Sequence, residues 1–128
     1  MTISFFHECD PLKSTAQQRQ FFRKGTTLTP AAKKAKATWL AIVEQYKPDK
    51  PLRGALSVII TITWYHKKKG VEPRTTRPDL DNVAKLLLDA MTKAGYWNDD
   101  NQVYDLRLTK FNGPLPGVSV IVEKGKEQ

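Results

Sequence analysis

The stretch 55–66 limits the fold of this 128-residue chain more than any other feature. It is rich in valine, isoleucine, threonine, tryptophan and tyrosine, which is typical of a β-strand. An amphipathic helix is predicted on each side of it. Over 30–46, apolar residues recur every three or four positions, and Thr29 and Pro30 provide an N-cap and a first-turn proline. The second helix begins near Leu80 and ends at Gly95.

Three shorter strands complete the predicted order β-α-β-α-β-β. They cover 2–6, 103–111 and 117–123. Residues 9–29 are polar and basic with little hydrophobic period, so we expect a long loop or arm there, and 71–78 should be an extended loop. This order predicts an α+β fold, in which two helices pack on one face of a mixed sheet of about four strands. The length suits a single domain over 1–128.

The apolar residues of these elements predict the core. The inward face of the second helix is expected to consist of Leu80, Val83, Ala84, Leu87, Met91 and Ala94. The aromatic side chains expected in the core or in helix packing are Trp39, Trp64 and Tyr65. Tyr96 and Trp97 are expected to pack the loop after the second helix. His7 and His66 have no partner at metal-site spacing, which favours structural roles.

The charges are distributed unevenly around a formal net value of +8. Residues 1–69 carry 13 Lys and Arg against 4 Asp and Glu, whereas 70–128 carry 8 against 9. A basic surface attracts phosphate polyanions, and no helix here joins a basic face to a bulky apolar face, as membrane-surface helices do. The candidate DNA-binding residues are Lys67, Lys68, Lys69, Arg74 and Arg77. Lys33, Lys34 and Lys36 fit either a solvated helix face or phosphate contacts.

Several protein classes lack support in the sequence. No apolar run approaches the roughly 20 residues that span a bilayer, and the N-terminus does not resemble a signal peptide. The single cysteine, Cys9, cannot form an internal disulfide or a cysteine zinc site, so we expect an intracellular, cytoplasmic location. No Walker loop, dinucleotide-binding glycine motif, nucleophile elbow or Cys-x-x-Cys motif is present, so no nucleotide cofactor is expected.

Six aspartates fall within 27 positions: Asp79, Asp81, Asp89, Asp99, Asp100 and Asp105. Closely packed carboxylates repel one another unless cations intervene, and Mg²⁺ prefers such oxygen ligands. Inside a helix, Asp79 and Asp81 would point about 200° apart. They converge on one ion only if the backbone turns between them, as Pro78 and a helix start near Leu80 would allow. The simpler alternative is that Asp79 caps the helix and Asp81 complements its dipole.

The same choice applies to the neighbouring charges. Lys85 and Asp89 continue from Asp81 at four-residue spacing, either as a surface ion-pair ladder or with Lys85 beside a scissile phosphate. Asp99 and Asp100 lie in a polar loop that is either a solvated turn or part of a site. It is not an EF-hand loop, because the required glycine and glutamate are missing.

Two blocks of sequence resemble the signature of the RusA family of Holliday-junction resolvases. In that family, an Asp-x-Asp-Asn-x-x-Lys block begins a helix, and an Asp-Asp-x-Gln-Val block begins a later strand. Residues 79–85 read Asp-Leu-Asp-Asn-Val-Ala-Lys, and 99–103 read Asp-Asp-Asn-Gln-Val, with the order and separation intact. The resemblance covers 77–108, and the first half of the chain matches only in general plan.

The resemblance implies a homodimeric, Mg²⁺-dependent endonuclease, with Mn²⁺ as a substitute ion, that cuts four-way DNA junctions by paired nicks in recombination and repair. It implies metal-binding and catalytic carboxylates at Asp79, Asp81 and Asp100, and a catalytic lysine at Lys85. Asp99 is either a further ligand or a residue that orients the loop. A two-fold dimer suits a junction, because the junction has two equivalent strands to cut.

Three other functions remain open on the sequence alone. A noncatalytic DNA-binding protein would explain the basic first half but not the two aspartate blocks. A structure-specific nuclease for flaps, forks or RNA would share the same site, so only a comparison of substrates separates it. A structural interaction module would need neither the metal nor the lysine.

Overall fold

The computed structural model describes residues 2–11, 19–22 and 25–125. The strands are β1 (Thr2–Glu8), β2 (Arg19–Phe22), β3 (Gly25–Leu28), β4 (Leu56–Tyr65), β5 (Glu72–Pro73), β6 (Val103–Gly113) and β7 (Gly117–Lys124). The helices are α1 (Pro30–Glu44), α2 (Leu80–Ala94) and a short 3-10 helix (Asp100–Gln102). Within the described ranges, no helix is both long and apolar enough to cross a bilayer.

Five of the strands form a mixed sheet in the order β1-β7-β4-β6-β5. β4 and β6 run parallel, and the other pairings in this sheet are antiparallel. The predicted α+β fold is therefore confirmed, with one strand more than the four or so expected. The additional strand is β5, whose two residues pair with the far end of β6. A strand of two residues is too short to leave a periodic pattern in the sequence.

The expectation of a loop over 9–29 is wrong for part of that segment. β2 and β3 pair antiparallel as a separate two-stranded sheet, from Arg19 opposite Leu28 to Phe22 opposite Gly25. Backbone hydrogen bonds between the strands hold such a ribbon together, so four-residue strands need no hydrophobic period. Residues 12–18 and 23–24 lie outside the described ranges.

β4 runs through the centre of the core. Alternate side chains of this strand face the helices and are buried, namely Leu56, Val58, Ile60, Ile62 and Trp64. Tyr65 was expected in the core or in helix packing, and this is wrong, because it is 56% exposed. It follows Trp64 directly, and successive side chains of a strand point to opposite faces of the sheet.

The two helices pack against each other and contribute to one hydrophobic core with the sheet. The residues of α2 that are buried as predicted are Val83, Leu87, Met91 and Ala94. Leu80 is 43% exposed, so this assignment is wrong, and Ala84 is half-buried. Leu86 and Ala90 are buried instead. Because α2 also packs against α1, its buried face is wider than the predicted stripe and includes Leu86 and Ala90. Leu80 is the first residue of the helix.

The segment after α2 is anchored by buried aromatic side chains, as predicted for Tyr96 and Trp97. Gly95 ends the helix with a φ of 97°, a left-handed conformation that glycine adopts without steric cost. The Tyr96 hydroxyl donates to the Val43 carbonyl at 2.6 Å, and burial raises the pKa of this phenol. The Leu52 N–H donates to the Tyr96 carbonyl at 2.8 Å. These bonds attach the segment that leads into the second aspartate block to the core.

Candidate active site

Asp79 occupies the N-cap position of α2, as predicted, yet its side chain does not cap the helix. Its backbone is extended, with φ −70° and ψ 146°, so the chain turns into the helix at this residue. The carboxylate is exposed and makes no cap hydrogen bond. At the start of α1, by contrast, Thr29 Oγ1 accepts from the Ala32 N–H at 3.1 Å. The interpretation of Asp79 as a helix cap alone is therefore contradicted, and its carboxylate is available to a ligand.

Asp81 lies in the first turn of α2, as predicted, and is exposed. Lys85 follows one turn later, and its Nζ lies 3.7 Å from a carboxylate oxygen of Asp89. The side chains of Lys85 and Asp89 are 58% and 40% exposed, so this ion pair contributes little to stability. Among the described residues, Lys85 forms no ion pair with Asp81. Of the predicted series of ion pairs, only the one between Lys85 and Asp89 is present.

Lys110, on β6, holds the loop that leads into Asp79. Its Nζ donates to the carbonyl oxygens of Thr76 at 2.9 Å and Pro78 at 2.7 Å. Pro78 is buried and Lys110 is half-buried, so both ends of this contact are held by the fold. Because Pro78 directly precedes Asp79, these bonds determine where the Asp79 backbone leaves the sheet.

Arg74 braces the other end of the same loop. Its Nε and Nη2 donate to the Arg77 carbonyl at 3.0 and 2.7 Å, and its Nη1 donates to Asn112 Oδ1 at 2.9 Å. The guanidinium carbon lies 4.6 Å from the centre of the Trp64 ring, a cation–π contact. Arg74 was predicted to bind DNA, but its guanidinium is already engaged within the chain. The Arg77 side chain is exposed.

Asp99 shapes the second aspartate block. It is the N-cap of the 3-10 helix, and its Oδ1 accepts from the Asn101 N–H at 2.9 Å. Asp100, the first residue of that helix, is exposed. Of the two roles left open for Asp99, the geometry favours orientation of the loop.

Gln102 ties this block to the rest of the fold. Its Oε1 accepts from the N–H groups of Asn98 and Asp99 at 3.0 and 3.2 Å. Its Nε2 donates to the carbonyls of Leu52 and Gly54 at 3.0 and 3.1 Å. Sequence reasoning assigned Gln102 no role, although it is part of the matched block. It also did not identify Lys110, whose partners are carbonyls of a loop distant in sequence.

Asp100 lines a cleft of about 620 Å³ between α1 and α2. The other charged residues around this cleft are Lys36, Asp89, Lys93 and Asp99. Asp79 and Asp81 do not line it. The ten steps from Asp79 to Asp89 correspond to about 15 Å along the helix axis. In the part of the chain that the structure describes, no three His, Cys, Asp or Glu side chains are close enough to hold one metal ion.

One chain therefore presents its two aspartate blocks at different places along α2. Asp79 and Asp81 lie together at the N-terminal end of the helix, while Asp100 lies beside its C-terminal half. The three carboxylates expected to share one ion are not brought together within a single copy.

Lys67, Lys68 and Lys69 are exposed in the turn that follows β4. That turn lies at the same end of the sheet as the loop before Asp79, because both contact the last residues of β6. The His66 N–H donates to the Gly113 carbonyl at 3.1 Å, and Lys110 binds the loop before Asp79. A cationic turn near the first aspartate block is a suitable position for contacts to a phosphate backbone.

The two histidines have structural partners, as expected. His7 Nδ1 lies 2.8 Å from the Tyr46 hydroxyl. His66 Nε2 lies 3.1 Å from the Gly70 carbonyl oxygen, and its Nδ1 lies 3.7 Å from Glu72. Neither histidine belongs to a group that could hold a metal ion among the described residues.

Comparisons with known proteins extend the motif resemblance to most of the chain. The family model described as Endodeoxyribonuclease RusA matches residues 11–123. This chain belongs to the RusA family. A crossover junction endodeoxyribonuclease RusA of Lactococcus phage r1t is 34% identical over 122 residues, covering 88% of this chain and 90% of that protein. The Escherichia coli and Enterobacteria phage 82 proteins of the same name are each 55% identical over 39 residues, covering 30% of this chain and 32% of theirs.

Proposed function

We propose that this protein is a Holliday-junction resolvase that acts as a homodimer and cuts four-way DNA junctions by paired symmetric nicks. The observation that carries the proposal is the pair of exposed carboxylates, Asp79 and Asp81, that α2 presents without using Asp79 as its cap. The Lactococcus phage relative, which this chain covers almost completely, is named a crossover junction endodeoxyribonuclease. The basic excess of the first half supplies attraction for DNA phosphates.

The proposed catalytic site contains residues of both subunits. Asp79 and Asp81 of one subunit would be completed by Asp100 of the partner subunit. The support for this arrangement is the separation of Asp100 from the other two carboxylates within one chain. A two-fold dimer would then contain two equivalent sites, one for each strand to be cut.

The donor set fits a hard divalent cation, because all three proposed ligands are carboxylates and at least Asp79 makes no cap bond. We propose Mg²⁺, with Mn²⁺ able to replace it. When bound, the ion would polarise a phosphoryl oxygen and stabilise the leaving 3′-oxygen. Lys85, one turn from Asp81 and largely exposed, would place its ammonium against the charge that develops on the phosphate.

The direct test is a cleavage assay on a four-way junction with an immobile branch point, with and without Mg²⁺, in which the cut positions on all four strands are mapped. We expect symmetric nicks on two opposed strands only when a divalent cation is present. The absence of nicks on the junction in Mg²⁺ and in Mn²⁺ would overturn the proposed activity.

A panel of substrates separates the two closest alternatives. A nuclease for other branched DNA would cut flaps or forks faster than the four-way junction. A noncatalytic DNA-binding protein would bind the junction and cut none of the substrates. Single-turnover rates on a junction, a flap, a fork and a plain duplex therefore decide among the three functions.

A further inference from the structure

The edge of β6 that faces away from β4 is only partly covered. β5 pairs with β6 at Asn112 and Phe111, and the Arg74 N–H donates to the Lys110 carbonyl at 3.0 Å. Along 103–109, no strand within the described ranges pairs with this edge. The four consecutive residues 104–107 are all exposed, with Tyr104 at 63% and Leu106 at 37%. An open strand edge that carries apolar side chains is a template for pairing with another strand.

We propose that a second copy of this chain occupies this edge, with the β6 strands of the two subunits paired antiparallel about a two-fold axis. The inference rests on the proposed homodimer and adds the surface through which the dimer forms. This β6–β6 pairing would join the two five-stranded sheets into one continuous sheet of the dimer.

The register follows from the direction of the backbone groups. Residues of a strand point their N–H and C=O alternately to its two edges. The Lys110 carbonyl accepts from Arg74 on the edge of β6 that faces β5. Leu108 and Leu106, two and four residues earlier, therefore direct their N–H and C=O groups to the same edge. A two-fold axis can therefore pass through a hydrogen-bonded pair, centred on an even-numbered residue, or through a non-hydrogen-bonded pair, centred on an odd-numbered one. Centring on Leu106 keeps the partner strand clear of the positions that β5 already covers.

The charges along the edge fit this register. With Leu106 opposite its own copy, Asp105 lies directly opposite Arg107 of the partner subunit, and the symmetry repeats this pair. Both residues are exposed in a single chain, and opposite charges at facing positions of an antiparallel pair stabilise it. Leu106, which is 37% exposed in a single chain, lies opposite its own copy, so the same pairing also covers apolar surface.

The arrangement also bears on the divided catalytic site. The 3-10 helix containing Asp100 directly precedes β6. Because the paired strands run antiparallel, pairing centred on Leu106 directs the beginning of β6 towards the partner's Lys110. In each chain, Lys110 holds the loop that leads into Asp79. The proposed interface therefore brings Asp100 of one subunit towards the Asp79 loop of the other.

Charge reversal tests the interface without altering the fold, since both residues of the pair are exposed. Asp105→Arg places like charges opposite each other twice, and Arg107→Asp does the same with the opposite sign. Each variant should raise the dimer dissociation constant, measured by sedimentation equilibrium, by about 10-fold or more.

The double variant Asp105→Arg/Arg107→Asp restores both pairs and should dimerise like the original chain. An equimolar mixture of the two single variants should also form dimers. Glu123→Arg, an exposed charge reversal on β7, is the matched control and should not change dimerisation.

The outcomes separate this inference from the proposed function. A chain that is monomeric at every concentration, or single variants that dimerise normally, would overturn the β6 interface whatever the nuclease activity. Dimerisation lost in the single variants and restored in the double variant supports the interface even if the original chain cuts no junction. In that second case only the proposed function fails.

Discussion

The two long helices begin with different chemistry. Thr29 accepts a hydrogen bond from the first turn of α1, whereas the Asp79 carboxylate makes none at the start of α2. Removing the charge of Asp79 should therefore affect ligand binding and cost the helix no capping hydrogen bond.

We accordingly expect Asp79→Asn, Asp81→Asn and Asp100→Asn each to reduce single-turnover cleavage by about 10²-fold or more, because each removes a proposed metal ligand. Junction binding should persist or tighten, since a carboxylate near phosphate is neutralised. Thr29→Ala is the contrasting variant: it should lower the free energy of unfolding by about 1 kcal/mol and leave cleavage unchanged. Near-normal cleavage by all three Asn variants would rule out this site.

Lys85 should act on the chemical step more than on DNA capture. One cation among 21 Lys and Arg adds little to overall attraction, but its position one turn after Asp81 suits the developing phosphate charge. Lys85→Ala should reduce the single-turnover rate by about 10²-fold, and Lys85→Arg should also be impaired. The junction dissociation constant should change much less. Weak binding with a normal rate at saturating protein would make Lys85 a phosphate anchor instead.

Lys110 should behave as a positioning residue for Asp79. Lys110→Met keeps most of the stem but removes the donors to Thr76 and Pro78, so the loop before Asp79 loses its anchor. The Mg²⁺ concentration for half-maximal cleavage should rise by about 10-fold, with junction binding little changed. Lys110→Arg should recover part of this loss. Lys124→Met, at an exposed position on β7, is the control. A lower unfolding temperature with an unaltered Mg²⁺ dependence would contradict the positioning role.

The turn after β4 is the structural unit expected to capture substrate. Replacing Lys67, Lys68 and Lys69 with Ala should weaken junction binding and reduce its salt dependence by up to about one counterion per lost phosphate contact. The same change at Lys33, Lys34 and Lys36 on α1 provides a comparison with equal net charge. An unchanged salt slope in the first variant would mean that 67–69 form only a solvated strand end.

Elements with a long repeat were predictable, and short ones were not. α1, α2 and β4 have ten or more residues each, enough for a hydrophobic period to show which side faces the core. β2, β3 and β5 have two to four residues and are held by pairing with another strand, which no local pattern reveals. The error at Leu80 has a related cause, since the buried face of α2 depends on where α1 lies against it.

For the whole protein, a site shared between two subunits predicts that two inactive variants can complement each other in a heterodimer. Asp79→Asn and Asp100→Asn should each be inactive as homodimers. A heterodimer of the two retains one site, built from Asp79 of the Asp100→Asn chain and Asp100 of the Asp79→Asn chain. Mixing the inactive variants under conditions that allow subunit exchange should therefore restore nicking of one strand per junction. If each site lay within one chain, the mixture would remain inactive.

The amino-acid sequence by itself determined the α+β class, the two helices and the central strand, because each rests on local periodicity and on caps within a few residues. It also identified the two aspartate blocks, since their spacing and residue types are local. Only the tertiary structure decided that Asp79 is an uncapped, exposed N-cap and that Arg74 and Lys110 brace its loop. It alone decided that Asp100 lies away from Asp79 and Asp81 in one chain. These are distances between segments far apart in sequence, and they depend on how the sheet and helices pack together.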